Sequence, residues 1–137
     1  MNTSKNLLIE EIFNKGVKYH NENKLNLAKK TYEKVIKKNP NHINALNNLG
    51  IIFFNLNNFK EAIQLYQKIV IIDSQNLQSH NNLGLLFKQI GEYTKAINHL
   101  KKAIEIDQNY LNAYNNLGLV FYELGKYQKA ISCYEKA

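Results

Sequence analysis

Four asparagines, Asn14, Asn48, Asn82 and Asn116, stand 34 residues apart along a chain of 137 residues. A carboxamide offers one acceptor and two donors, so it can pair with both the C=O and the N–H of an extended peptide. A row of such groups at constant rise reads backbone rather than side chains. Each rung is worth about 1 kcal/mol net, which gives modest affinity and broad selectivity. Other rows keep the same interval: Phe13, Asn47, Asn81 and Asn115 on one side, an apolar strip of Val17, Ile51, Leu85 and Leu119 on the other. His20, Phe54, Lys88 and Tyr122 follow, and Phe54 and Tyr122 would supply side-chain preference.

These rows need a scaffold that repeats with them. Gly16, Gly50, Gly84 and Gly118 mark the same beat, as do Ala28, Ala62, Ala96 and Ala130 twelve residues later and Tyr32, Tyr66, Leu100 and Tyr134 four beyond those. Set at Ile9, the frame gives a lead-in (1–8), repeats over 9–42, 43–76 and 77–110, and a shortened fourth over 111–137. Apolar spacing of i, i+3 and i+7 predicts two helices in each. Between them fall Asn23, Asn57, Gly91 and Gly125, the residue types that best tolerate the left-handed conformation at a helix end. Polar breaks at 39–42, 73–76 and 107–110 separate the repeats, with Pro40 stopping one helix and polar side chains available to cap the next. A mid-helix glycine costs about 1 kcal/mol relative to alanine. Its fourfold placement therefore predicts close approach of the second helix to the first.

Leu49-Gly50, Phe53, Ala62 and Tyr66, then Leu83-Gly84, Phe87, Ala96 and Ala103, then Leu117-Gly118, Phe121, Ala130, Tyr134 and Ala137 resemble the motif of the tetratricopeptide repeat family. Departures are Lys15 in place of leucine, His80 in place of an aromatic, and a proline in the first repeat alone. The resemblance implies an all-α, right-handed superhelical solenoid of stacked antiparallel helix pairs, about 3.75 repeats long. It also implies that the asparagine rows line a concave groove and bind a protein or peptide partner, as in the asparagine-lined arrays of O-GlcNAc transferase. The lysine and arginine clamp of the family's chaperone-tail binders is missing, because Phe13, Asn47, Gln78 and Asn82 occupy those rows.

Asparagine is abundant throughout, and drift toward it at wet positions is the bland account of the row. The lack of a gap in four repeats, while neighbouring rows vary, weighs against drift. Rim residues Glu10 and Glu123 oppose Lys88, so the groove is nearly neutral and the chain's net charge of +7 must lie elsewhere. One such place is a row of Lys34, Lys68, Lys102 and Lys136 on the second helices. Lysine lacks the bidentate fork of arginine and no stacking aromatics accompany the row, so it reads as a solvated outer face rather than a nucleic-acid site. The histidines do not repeat in register: His80 reads as a core residue and His20 as a groove contact. Cys133 reads as an outer residue without a nearby base. No motif for a metal, a cofactor or catalysis appears.

A polar N-terminus and the lack of a long apolar run predict a chain with no membrane segment, and one cysteine agrees with a reducing, cytoplasmic setting. The last helix leaves Ile131 and Tyr134 without an encoded cover, which predicts self-association, as a homodimer, through that end. A further alternative makes the array the recognition arm of a larger enzyme such as a glycosyltransferase.

Overall fold

The computed structural model describes residues 2–137, so Met1 of the expected lead-in lies outside the described residues. Eight helices follow in order: α1 (Asn2–Asn21), α2 (Leu25–Lys38), α3 (Ile43–Asn55), α4 (Phe59–Ile72), α5 (Leu77–Gln89), α6 (Tyr93–Ile106), α7 (Leu111–Glu123) and α8 (Tyr127–Lys136). The fold class is the expected one, all-α and made of helix pairs. The rest of the lead-in is not separate but continues α1 back to Asn2. Two compact units divide the chain, Met1–Leu65 and Tyr66–Ala137, with the boundary inside α4.

The turn inside each repeat follows from four residues. Asn23 and Asn57 have φ of 59° and 61°, and Gly91 and Gly125 have 78° and 72°. Each sits two residues past the last residue of its helix, and the same two bonds close every turn. At the first, Lys24 N–H donates to the Tyr19 carbonyl (2.8 Å) and Asn23 N–H to that of His20 (3.0 Å). At the last, Lys126 donates to Phe121 (2.8 Å) and Gly125 to Tyr122 (3.0 Å). This pair of bonds satisfies carbonyls that a helix end leaves open.

Between repeats the side chains take over. Asn39, Asp73 and Asp107 accept, through side-chain oxygens, the N–H two residues on, at 3.1, 3.1 and 2.9 Å. His42 Nδ1 then caps α3 by accepting from Ala45 N–H (3.1 Å), and Asn76 caps α5 by accepting from Ser79 N–H (3.0 Å). Tyr110 makes no side-chain cap on α7.

Glycine marks the tight contact. A Cβ on Gly16 would lie 2.8 Å from Tyr32 Cε1, and one on Gly118 would lie 2.6 Å from Tyr134 Cε1. One on Gly84 would strike the Leu100 side chain. In the first unit Ile9, Ala28, Tyr32, Val35, Ala45, Leu49 and Ile52 form one buried cluster, flanked by Ile12, Val17, Tyr19 and Leu65. In the second, Leu83, Leu86, Leu100, Ala103, Ala113 and Val120 are completely buried.

The third repeat breaks its apolar register with two imidazoles. His80 and His99 take the positions held by Leu46 and Leu65 one repeat earlier. His80 is buried, as expected, and its Nε2 donates to the Ser74 carbonyl at 2.9 Å. His99 Nδ1 lies 3.1 Å from His80 Nδ1, and its ring stacks on Phe87. Cys133, at the register of His99 in the last repeat, is buried rather than outward, and burial pushes its thiol up.

Burial first, and the neighbouring His80 second, hold the His99 imidazole below its ordinary range. The unfolded chain therefore takes up a proton before the folded one does. The contribution of His99 to stability is fully present above about pH 6.5, the unperturbed histidine value, and is lost as the pH drops below it. Denaturant melts at pH values on either side of that point are expected to show the loss, and the His80→Leu/His99→Leu variant to flatten it.

Candidate functional site

Tyrosine hydroxyls hold two of the four predicted rungs. In the first unit Asn48 on α3 donates from Nδ2 to the Tyr32 hydroxyl on α2, at 3.3 Å. That hydroxyl also lies 3.3 Å from His20 Nδ1 on α1, so Tyr32 joins three helices. Burial pushes the Tyr32 phenol up, and the bond from Asn48 works against that shift. In the second unit Asn82 bonds the Tyr66 hydroxyl in the same register, and burial pushes that phenol up to about 12.

Asn116 cannot repeat the bond, because the residue sixteen before it is Leu100. It donates instead to Asn81 Oδ1 at 3.0 Å. Asn81 is only 7% exposed, so this member of the second row faces its neighbour rather than an open surface. Asn14 is exposed, Asn47 half-buried and Asn115 exposed.

The apolar strip is partly packing. Val17 rests against the first unit's core, and Ile51 and Leu85 are half-buried. Leu119 is 41% exposed. Phe54 stands edge-on to Phe59 at 5.7 Å, and the exposed Tyr122 edge-on to Tyr127 at 5.4 Å. Rim charges are paired: Lys88 Nζ lies 3.1 Å from a Glu123 carboxylate oxygen, and Glu10 receives His42 Nε2 at 2.7 Å. The Glu123 carboxylate, bonded to Tyr93, pushes that phenol up.

Lysines of the second helices also have local partners. Lys95 lies over the Phe87 ring and Lys129 over Phe121, each at 5.5 Å, and Lys136 lies 6.0 Å from the Tyr114 ring. Among the described residues no group of three metal-binding side chains converges, and no helix is long and apolar enough to cross a membrane. Ile131 and Tyr134 on α8 are 48% and 40% exposed, whereas their register mates Ile63 and Tyr66 are 7% and 2% exposed.

Sequence reasoning ranked Tyr32 and Tyr66 as packing residues and missed their hydroxyls. The available signal was the sixteen-residue interval from each tyrosine to the next asparagine, broken only at Leu100.

Tetratricopeptide repeat models match residues 12–42 and 43–76, and a TPR repeat model matches 84–125. A crystal structure of MamA, 33% identical, aligns over 88% of this chain and 71% of that chain with a TM-score of 0.84. A second crystal structure of MamA protein, 31% identical, aligns over 99% and 72% with a TM-score of 0.87. MamA from Desulfovibrio magneticus RS-1, at 21% identity, aligns over 93% and 72% with a TM-score of 0.87 and shows the fold alone. No curated protein matches the chain.

The strut from Asn48 to Tyr32 is measurable. A double-mutant cycle of Asn48→Ala and Tyr32→Phe, followed by chemical denaturation, is expected to give a coupling of about 0.5–1.5 kcal/mol. Tyr66→Phe is expected to cost a similar amount, about 1 kcal/mol, because it leaves the Asn82 amide short of its acceptor.

Proposed function

Because this chain belongs to the tetratricopeptide repeat family, and is thereby a protein–protein interaction scaffold, we propose that its asparagine rungs hold an extended peptide segment of the partner. The observation that carries this reading is the bond from Asn48 to Tyr32, matched by that from Asn82 to Tyr66. One N–H of each carboxamide is tied to a hydroxyl, so the rotamer is fixed before a guest arrives. The second N–H and the carbonyl oxygen are the donor and acceptor that a peptide backbone needs. Ordering these groups in advance lowers the entropy cost of binding.

Each unit carries its own rungs: Asn14 and Asn48 in the first, Asn82 and Asn116 in the second. Beside them the half-buried Ile51 and Phe54, and the exposed Leu119 and Tyr122, offer apolar contact to the guest's side chains. The rim ion pair of Lys88 with Glu123 neutralises its own charge, which suits an uncharged backbone better than an acidic tail.

A second reading rests on α8. Ile131 and Tyr134 lie open where their register mates Ile63 and Tyr66 are covered, and self-association through this face would bury them. Light scattering against concentration is expected to show a dimer that Ile131→Glu/Tyr134→Glu abolishes; a strict monomer at high concentration ends this reading.

The primary reading is tested by selection from an unbiased peptide library. The Asn48→Ala/Asn82→Ala/Asn116→Ala variant, checked for helicity, is expected to bind selected peptides about tenfold more weakly. N-methylation of alternate peptide amides removes backbone donors without touching the scaffold, and is expected to weaken binding similarly. Full binding by both would reject the rungs while leaving the fold intact.

A further inference from the structure

A cleft of about 290 Å³ opens between α1 and α2, lined by Ile12, Lys15, Tyr19, Leu27, Lys30, Thr31 and Lys34. Its floor is apolar: Ile12 and Tyr19 pack against the first unit's core, and Leu27 is 46% exposed. Thr31 turns its hydroxyl back to the Leu27 carbonyl at 2.7 Å, so it offers no donor to the cleft. The three ammonium groups are exposed, and no carboxylate is among the lining residues. Lys15 lies 5.9 Å from the Tyr19 ring centroid, and neither it nor Lys30 nor Lys34 has an ion-pair partner among the described residues.

Register sets this face apart from its counterparts in the later repeats. The position of Lys15 is Leu49, Leu83 and Leu117 in the later repeats, where exposure is 4%, 0% and 6%. Leu49 is part of the cluster that α2 and α3 share. A leucine at this position is buried at no electrostatic cost, whereas the Lys15 ammonium needs water or an opposite charge beside it. Lys30 is likewise peculiar to the first repeat, its counterparts being Gln64, Asn98 and Ser132. The first unit as a whole carries ten lysines against five acidic residues, +5 of the chain's +7.

From the charge and shape of this cleft we infer a second docking site, for an acidic peptide segment that places one large apolar side chain between carboxylates. The apolar side chain fills the floor over Leu27 and Tyr19. The flanking carboxylates meet Lys15, Lys30 and Lys34. At about 290 Å³ the cleft is at the small end of ligand sites, which suits a single side chain rather than a whole helix. A concave cleft also fits a peptide better than a flat anionic bilayer. The site is separate from the asparagine rungs and does not depend on them.

The test uses fluorescence polarisation with a labelled peptide of glutamates around one leucine. The wild-type chain is expected to bind it at low salt and to release it as salt screens the lysines. Lys30→Glu/Lys34→Glu is expected to weaken binding about tenfold or more, while the charge-matched Lys60→Glu/Lys101→Glu, outside the cleft, changes it less than about twofold. Replacing the peptide's leucine by serine is expected to weaken binding as well. The triple alanine variant of the rungs should bind this peptide as the wild type does, which separates failure of this site from failure of the groove. Equal loss in the two lysine variants, indifference to the leucine, no binding at about 1 mM peptide, or binding to phosphatidylserine vesicles with none to the peptide would each overturn the inference.

Discussion

One contact governs the rest: at Gly16, Gly84 and Gly118 the side chain sixteen residues later lies against the glycine's backbone. Tyr32 sits on Gly16, Leu100 on Gly84 and Tyr134 on Gly118, at distances that leave no room for a methyl group. The contact lets the two helices of a hairpin approach far more closely than any other residue would permit. It also aims the large side chain through the hairpin toward the next helix. Tyr32 thereby touches α1 with its ring and α3 with its hydroxyl, and the Asn48 amide takes its orientation from it.

The same contact explains where the polar groups are found. A phenol buried this deeply must bond its hydroxyl or lose stability. Asn48 and Asn82 meet that need while keeping hydrogen-bonding capacity toward the outside. Where Leu100 replaces the tyrosine the need vanishes, and Asn116 finds Asn81 instead. Local chemistry at one position therefore changes the partner of the rung in the following repeat. His80 and His99 follow a related rule: placed where other repeats carry apolar side chains, they satisfy each other and a backbone carbonyl.

Charge is distributed by the same logic of position. Lys95 and Lys129 on the second helices place their ammonium groups over the Phe87 and Phe121 rings while the side chains stay exposed. Lys15 and Lys30 have no counterparts in later repeats, and they gather with Lys34 around a cleft that contains no acid. The first unit is thus both the basic end of the chain and the place where an interior leucine position becomes polar.

Residue spacing alone determined the helices, the turns at Asn23, Asn57, Gly91 and Gly125, and the glycine contacts, because each depends on backbone geometry within a few residues or on a period that repeats. It also ranked Asn14, Asn48, Asn82 and Asn116 as one row. Tertiary structure decided what those amides touch: a tyrosine hydroxyl for Asn48 and Asn82, a buried amide for Asn116, open surface for Asn14. It likewise turned Cys133 inward and joined Lys15, Lys30 and Lys34 across two helices. Periodicity gives the direction of a side chain from its own helix. The identity and reach of the group it meets depend on a neighbouring helix, and only packing brings that group within bonding distance.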